Sequence, residues 1–453
     1  QRHLVLARDR LGKKPLYYCC TGGALYFGSE IKAVVGALPA PPSIDDGALD
    51  EYLSFGFIGE DRTIYRGIRQ IRPGMMLVAT GPSEMRLMSY WQPRWEPKRN
   101  LTFPEAVDQA EALLTEAVRL RIRADVPVGV FLSGGIDSGL VAAITSKLVG
   151  GCLTLSVGFD EESFDERPSA RQVARRYGTE HHECVLRPDV VSLIPRMAWH
   201  YDQPFGDASA IASFALAAYA RQHVKVVLNG DGGDEVFGGY RRHIASRIAS
   251  GIYRLVPRDL VRQGAQLFLR FLPAPRSFRS AYTFGHRFLH VLAGNPWESI
   301  TALYAAGFTD AEKRALHHIP PEAGCASAVI GTLLTSLRSL NDVDRALAMD
   351  LVWELPGDLL VKMDIATMAY GLEARSPFLD HEIVSWANTL PGGLRLGGWS
   401  TKPILRELAT RYLPHSVTRA PKRGFEAPIS KWLRKELAEV RDDLILSRSG
   451  LVC

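Results

Sequence analysis

The sequence predicts an α/β protein: a parallel sheet with helices on both faces, extended by further helices and preceded by a β-rich region. Three observations carry that expectation. Between Leu101 and about residue 240, short buried-strand runs alternate with helical patterns, the order from which parallel sheets are built. Residues 1–98 instead alternate short apolar runs with turn signals, and from Tyr240 to about Asn388 the pattern is mostly helical. Two domains are expected, 1–98 and 99–453.

In the first region His3–Ala7, Leu16–Cys20, Ala24–Phe27 and Met75–Ala79 read as strands, with Gly22-Gly23 as a hairpin turn between two of them. Pro41-Pro42 and Trp91–Asn100, which holds Pro93 and Pro97, read as connectors. Ala106–Arg123 then carries Val107, Ala110, Leu113, Leu114, Ala117 and Val118 at helical spacing. Val126–Leu132 is a buried strand, Asp137–Val149 a helix closed by Gly150-Gly151, and Leu153–Phe159 a second strand. A helix follows with Ala170, Val173, Ala174 and Tyr177 on one face, stopped by Gly178. His181–Leu186 and Val224–Leu228 are the later strands.

Composition sets the class. A chain of 453 residues, 46% hydrophobic and 23% charged, can bury a large core without disulfide or metal staples. Its 54 Lys+Arg and 49 Asp+Glu leave a formal charge of +5. The longest apolar stretch, Ala208–Ala220, stops at Arg221, short of the roughly 18 residues that a membrane span needs. Gln1-Arg2-His3 opens no secretory signal. Six cysteines form no C-x-x-C pair and read as small hydrophobes in a reducing, cytoplasmic setting. From Arg241 to His290 there are ten arginines and one acid, Asp259. Without aromatic interleaving or a nucleic-acid motif, these read as solvated helix faces beside an acidic neighbour, so no nucleic-acid partner is expected.

The most informative stretch is Val128-Gly-Val-Phe-Leu-Ser-Gly-Gly-Ile-Asp-Ser138, a strand running into a glycine loop and a helix start. Such a loop is an anion cradle. Glycines let backbone N–H groups approach a ligand, and the helix N-terminus adds partial positive charge. Ser133 and Ser138 add hydroxyl donors. Asp137 would repel a phosphate unless a divalent cation lay between them, and Mg²⁺ shared by a carboxylate and phosphate oxygens is the ordinary solution. A plain helix cap would account for Asp137 and Ser138, but not for two glycines at the end of a buried parallel strand, where ligands sit in open α/β sheets. Neither G-x-x-x-x-G-K-[ST] nor a strand-linked G-x-G-x-x-G is present, neither serine lies in G-x-S-x-G, and His182-Glu183 and His381-Glu382 lack the second histidine of a zinc protease.

Ser133-Gly-Gly-Ile-Asp-Ser138 resembles the pyrophosphate-binding loop of the ATP-pyrophosphatase (PP-loop) superfamily, whose members cleave ATP between the α and β phosphates. Three further motifs narrow the choice. Val226-Val-Leu-Asn-Gly-Asp-Gly-Gly-Asp-Glu-Val-Phe-Gly-Gly-Tyr240 brings three acids within five residues, which repel one another unless a cation or amine relieves them. It resembles the asparagine synthetase pattern S-G-[DE]-G-[AG]-D-E-x-F-G-G-Y, with Asn229 in place of serine. Lys362-Met-Asp-Ile-Ala-Thr-Met-Ala-Tyr-Gly-Leu-Glu-Ala-Arg-Ser-Pro-Phe-Leu-Asp380 resembles the E-x-R-x-P-[FL]-L-D signature of the same family. There Arg375 could hold an α-carboxylate and Glu373 an ammonium, or the two could simply pair with each other. Arg419-Ala-Pro-Lys-Arg-Gly-Phe425 resembles the R-x-P-K-x-G-F segment of bacterial asparagine synthetases and offers Lys422 as a cation for charge building on phosphate.

The resemblance covers about Leu101 to Leu446 with its motifs in family order. It implies an adenine nucleotide α-hydrolase-like fold and a C–N ligase in which the β-carboxylate of L-aspartate attacks MgATP. β-Aspartyl-AMP and pyrophosphate would form, and ammonia would then displace AMP. Carried over, Leu132, Val157, Asn229 and Gly230 line the nucleotide with Ser133, Gly134, Gly135, Asp137 and Ser138 on pyrophosphate. Asp137 and Asp234 hold Mg²⁺, Asp231, Glu235 and Lys422 are catalytic, and Glu373 and Arg375 contact substrate. ATP and Mg²⁺ are the cofactors implied. L-aspartate, ATP and ammonia or glutamine are the partners, with a homodimer open and no membrane. The same apparatus would serve a β-lactam synthetase-like or other amidotransferase acting on another carboxylate. An RNA-modifying enzyme and a non-catalytic nucleotide-binding remnant are the more distant readings.

His3–Ala7, Arg8-Asp-Arg-Leu-Gly-Lys-Lys-Pro-Leu-Tyr-Tyr18 and Tyr26-Phe-Gly-Ser-Glu-Ile-Lys32 resemble the latter part of the family's class II glutaminase domain, which starts on a cysteine nucleophile. Position 1 here is Gln1, and Cys19 and Cys20 fall in a strand, so a partial domain cut at its N-terminus, and a chain shortened at Cys453, are expected. Glutamine should therefore not replace ammonium. Turnover of this chain with glutamine as the sole nitrogen source, read as glutamate release, would overturn that expectation.

Overall fold

A computed structural model describes residues 3–59, 61–81, 84–161, 164–186, 190–273, 280–294, 307–308, 312–313, 325–398, 400–420, 427, 429–435 and 437–443. The first region forms two three-stranded antiparallel sheets. One has the order β1 (Leu4–Ala7), β5 (Met75–Gly81), β6 (Glu84–Ser89); the other is β3 (Ala24–Gly28), β2 (Tyr17–Thr21), β4 (Ile68–Gln70). The hairpin is where the sequence places it. Thr21 pairs with Ala24, and Gly22 and Gly23 turn the chain with φ of 58° and 74°, the left-handed values that a two-residue hairpin loop requires. Pleating divides the side chains of β2. Tyr17 and Cys19 pack on α1 (Ile31–Ala37), whereas Tyr18 joins Leu6, Ile71 and Leu77 between the sheets. Helix α1 and helix α2 (Asp46–Phe55) were not legible as helices in the sequence.

The second region centres on five parallel strands in the order β11 (Glu373–Arg375), β10 (Val226–Leu228), β7 (Val128–Phe131), β8 (Leu153–Phe159), β9 (Glu180–Leu186). Helix α3 (Phe103–Arg121) precedes the sheet and begins earlier than its apolar spacing suggests. The Glu105 carboxylate accepts hydrogen bonds from the N–H and hydroxyl of Thr102 at 2.8 and 2.7 Å, a capping box with Pro104 in the first turn. Helices α4 (Ile136–Val149) and α5 (Arg167–Tyr177) follow β7 and β8. After β9 come α6 (Val190–Tyr201) and α7 (Ser209–Ala220).

Alternation along each strand feeds two cores. Val130 and Leu228 join Leu114, Leu140 and Val173 of α3, α4 and α5 on one face. Phe131, Val157 and Val227 join Ile211, Leu216 and Ala217 of α7 on the other. Helices thus cover both faces, as the sequence predicts. The small residues of Ala208–Ala220 form α7, which lies against the sheet rather than in a membrane, and no described helix is long and apolar enough to cross one.

The chain runs from β7 outward through β8 to β9, then returns to β10 on the opposite side of β7. The strand order therefore reverses between β7 and β10, and the crevice outside the carboxyl ends of those two strands is the switch point where open α/β sheets bind ligands. The described residues of 240–388 are mostly helical, as the sequence predicts, with the edge strand β11 as an exception the pattern did not show. Its three residues carry no periodicity, and they become a strand by pairing with β10. The arginine-rich segment forms α9 (Arg241–Leu255), α10 (Arg258–Phe271) and α11 (Ala281–Ala293), after a short helix α8 (Gly233–Phe237). Part of its charge is taken up internally. Arg242 reaches Asp350 at 3.1 Å and also meets Glu354, Arg247 donates to the Leu396 carbonyl at 3.0 Å, and Arg262 pairs with Asp259 at 3.1 Å.

Leu140 is fully buried in the α3–α4 core. Leu140→Ala is expected to lose about 2–5 kcal/mol in urea unfolding; a loss well under 1 kcal/mol would contradict this packing.

Candidate active site

Two loops meet at the switch point. After β7 the chain passes Leu132 into Ser133-Gly134-Gly135, and Gly135 caps the N-terminus of the 14-residue helix α4, so the helix's positive end opens onto the loop. The Ser133 N–H donates to Ser138 Oγ at 3.0 Å, the two serine hydroxyls bond at 2.8 Å, and the Gly135 N–H donates to Ser133 Oγ at 3.2 Å. A side chain at Gly134 would place its Cβ 2.9 Å from that of Ser169. Glycine is needed there because α5 comes close.

After β10 the loop Asn229-Gly-Asp-Gly leads into α8. The Asn229 N–H donates to the Arg375 carbonyl at 3.0 Å, and its side-chain amide donates to Asp231 Oδ2 at 2.6 Å. Contact between the loops depends on missing side chains. A Cβ on Gly230 would stand 2.8 Å from the Ser138 nitrogen, and one on Gly233 would stand 2.8 Å from Asp137 Oδ1. Both distances are too short for any other residue.

The loops are tied by one ammonium. Lys402, 3% exposed, precedes the helix Pro403–Tyr412 in the left-handed conformation (φ 52°). Its Nζ lies 2.5 Å from Asp137 Oδ2 and 2.7 Å from Asp234 Oδ1. Burial alone would lower its pKa, but Asp137 and Asp234 outweigh that and raise it, so the lysine stays charged. The other acids behave differently. Burial, with Asp234 nearby, pushes Asp231 up to about 6 against the pull of Lys362. Burial and Asp234 push Glu235 up to about 7, and the Tyr240 hydroxyl donates to its Oε1.

A second pair faces this group. Lys362 Nζ donates to Asp207 Oδ2 at 2.6 Å and to Ser209 Oγ at 2.7 Å. Burial opposes the charge on both partners, yet Asp207 keeps a lowered and Lys362 a raised pKa because each stabilises the other. Asp358, close by, is pushed up to about 7 by burial and by Asp207. All these groups border a single cleft of about 1210 Å³, whose apolar wall includes Leu132, Leu155, Val157 and Leu216. That is room for a nucleotide and a second small molecule.

A profile of the asparagine synthase family matches residues 109–450. The chain belongs to the asparagine synthase family. A glutamine amidotransferase domain profile matches residues 1–91. Asparagine synthetase [glutamine-hydrolyzing] 1 of Bacillus subtilis is 31% identical over 441 residues, 96% of this chain and 67% of that protein. A putative asparagine synthetase [glutamine-hydrolyzing] of Mycobacterium tuberculosis is 32% identical over 441 residues, 96% of this chain and 66% of that protein. The amidase chry2 of Gibberella zeae is 28% identical over 499 residues, all of this chain and 72% of its own. The chain thus spans about two thirds of the length of the curated relatives it matches. Among solved structures, an NMN synthetase from Francisella tularensis aligns over 53% of this chain and 98% of its own, at 14% identity with a TM-score of 0.23. The fold class rests on the sheet itself.

For this asparagine synthase family member, the residues singled out in the two glycine loops come together. Leu132, Ser133, Gly134, Gly135, Asp137, Ser138, Val157, Asn229, Gly230, Asp231, Asp234 and Glu235 all border the cleft. Glu373 and Arg375 do not. Arg375 Nε donates to Glu373 Oε1 at 2.8 Å, and its Nη1 donates to the carbonyls of Arg121 and Arg123 at 2.7 and 2.9 Å. With its guanidinium on that ion pair and on the end of α3, Arg375 takes the internal pairing that the sequence also allowed, and neither residue lines the cleft. Lys422 lies outside the described residues. Sequence reasoning missed Lys402, Asp207 and Asp358, which stand in no glycine motif; Lys362 opens a quoted motif, yet nothing in its residue type marked it as cleft-facing.

Asp137 and Asp234 each bring an oxygen to within 2.7 Å of a common point, the Lys402 Nζ. The ammonium occupies that point, so these two carboxylates would hold Mg²⁺ only beside or in place of Lys402, with the ion's shell completed from substrate.

Because the Glu235 carboxyl rises to about 7 in the fold, the native state holds a proton that the unfolded chain has released above about pH 4.5, and stability contributed by this group falls as pH climbs toward 7. Glu235→Gln, without nucleotide or Mg²⁺, should match wild type near pH 5 and exceed it by about 1–3 kcal/mol at pH 8. Equal stability differences at both pH values in urea melts would contradict the buried, proton-holding state.

Proposed function

We propose that the chain adenylates a carboxylate with MgATP and passes the acyl group to ammonia, with L-aspartate as substrate and L-asparagine, AMP and pyrophosphate as products. One observation carries the reading: the Ser133–Ser138 loop and the Asn229–Glu235 loop meet at the sheet's switch point with Asp137 and Asp234 on a single lysine. The family membership supports the amidation class.

In this reading the N–H groups of the Ser133–Gly135 loop, the two serine hydroxyls and the N-terminus of α4 bind the β and γ phosphates. Leu132 and Val157 pack on the adenosine. Asp137 and Asp234 would hold Mg²⁺, which supplies charge neutralisation on the polyphosphate. A substrate carboxylate oxygen attacks the α-phosphorus, the bond to the bridging oxygen breaks, and pyrophosphate leaves. Lys402, charged at neutral pH, offsets the negative charge that builds on the α-phosphate and the departing oxygen. The acyl-adenylate then has a good leaving group. Ammonia adds to its carbonyl, loses a proton and expels AMP. Asp231, ionised above about pH 6, stands beside this region as an acceptor for the ammonium proton. Where a complete amidotransferase domain is present, glutamine would deliver the nitrogen through it. A cytoplasmic setting is part of the same proposal.

A second reading is favoured by one placement. Glu373 and Arg375 pair away from the cleft, while Arg406 borders it, so the site assigned by sequence to an amino-acid α-carboxylate lies elsewhere and another carboxylate could be the substrate of the same adenylation chemistry.

Pyrophosphate release with MgATP and ammonium, scanned over L-aspartate and other carboxylates, decides between the two. Release with aspartate and formation of asparagine support the first reading; release only with another acid supports the second. Lys402→Gln should lower the rate about 10²–10³-fold, and Asp137→Asn should raise the Mg²⁺ concentration required. Wild-type kinetics in either variant would remove that residue from its role.

A further inference from the structure

The Asp207–Lys362 pair is built from two segments, the loop between α6 and α7 and the helix Leu360–Met368. Both segments are gripped by the first region. On the loop, the Lys32 backbone N–H and Nζ donate to the Asp202 carboxylate at 3.1 and 3.0 Å. The Ile64 N–H donates to Gln203 Oε1 at 3.1 Å, and the Gly206 N–H donates to the Gly56 carbonyl at 2.7 Å. Asp202 holds a left-handed φ of 62°, so the loop leaves α6 in a conformation that a non-glycine residue adopts only when its surroundings fix it. Gly206 lies so near Gly56 that an added Cβ would sit 3.1 Å from the latter's Cα and oxygen. Asp207 follows directly.

On the helix, Lys14 Nζ reaches Asp364 Oδ1 at 2.5 Å, two residues beyond Lys362. Lys14 is itself presented by a rigid turn. The Asp9 carboxylate accepts from the N–H groups of Leu11 and Lys14 at 3.1 and 3.0 Å, while buried Arg8 donates to the carbonyls of Lys14, Ile71 and Gly12 at 2.9, 2.9 and 3.0 Å. The Arg8–Pro15 stretch, which the adenylation chemistry leaves without a role, is thus a platform for one lysine.

We propose that the first region is a positioning part of the synthetase cleft: Lys32 and Lys14 hold the two segments that deliver Asp207 and Lys362, and so set the geometry of the wall opposite the phosphate loop. Neither lysine enters the cleft, and both act through the segment they hold. This rests on the amidation reading for its kinetic consequence but not for its structural one. The pyrophosphate cradle is built from residues that neither lysine touches, so the effect should fall on the acceptor carboxylate rather than on the nucleotide.

The test uses the full chain with Lys14→Met plus Lys32→Met, and Lys14→Arg as the conservative comparison. In pyrophosphate release with ammonium and L-aspartate, kcat/KM for aspartate should fall about tenfold in the double variant while KM for MgATP stays within about twofold. Lys14→Arg should keep most of the activity. The side chains of Lys14 and Lys32 are 52% and 26% exposed, but their partners Asp364 and Asp202 are only 10% and 7% exposed, so the double variant should lose some stability and is assayed well below its Tm. Hydrogen exchange gives an arm that needs no turnover: peptides over 202–209 and 360–368 should exchange faster in the double variant, with 133–138 unchanged. Unchanged exchange in those peptides, equal losses for aspartate and MgATP, or failure of Lys14→Arg to retain activity would each overturn the inference. If wild type releases no pyrophosphate with any carboxylate, the amidation reading falls, and the exchange arm still decides this one.

Discussion

A charged lysine sealed between two aspartates holds the cleft together. Lys402 joins the start of α4, through Asp137, to the loop after β10, through Asp234, so three chain segments far apart in sequence share one buried charge. Such a pair is a poor source of net stability, because desolvation offsets much of the attraction, but losing one partner leaves an uncompensated charge in a dry site. The constraint therefore acts on geometry. It fixes how near the loops lie, and glycine at 230 and 233 follows from that nearness, since a Cβ at either position would strike the opposite loop.

The acids around this lysine divide into two kinds. Asp137, Asp234 and Asp207 each have an ammonium in contact. Among the described residues Asp231, Glu235 and Asp358 do not, and burial together with their ionised neighbours pushes them toward neutrality. A cleft of this composition neutralises part of its charge by self-pairing, holds Glu235 and Asp358 largely protonated below about pH 7, and leaves Asp231 to ionise above about pH 6. A ligand that brings its own cation would compete with Lys402 for the paired aspartates.

The sequence was most readable where one physical rule dominates. Leu153–Phe159 was bounded correctly because Leu153, Leu155, Val157 and Phe159 recur at the strand period with only small residues between them, and Ser133–Ser138 announced itself because a glycine loop between strand and helix has few uses. It was least readable where tertiary pairing decides. Glu373–Arg375 has no strand pattern of its own and takes its conformation from β10. Its arginine read equally as a ligand for a substrate carboxylate or as the partner of the glutamate two residues away, and residue types could not choose between the local partner that the structure shows and a distant one. Lys402 escaped notice for the opposite reason: its partners lie about 170 and 265 positions earlier in the chain, and nothing in Ser-Thr-Lys-Pro signals them.

The hydroxyl bridge between Ser133 and Ser138 has one more implication. Each oxygen already has a partner inside the loop, so a guest must outbid a neutral alcohol to be accepted. A neutral acceptor would gain almost nothing by the exchange, whereas a phosphoryl oxygen forms the stronger, charge-assisted bond. In the proposed reading the bridge would act as a threshold that favours an ionised visitor over a neutral one.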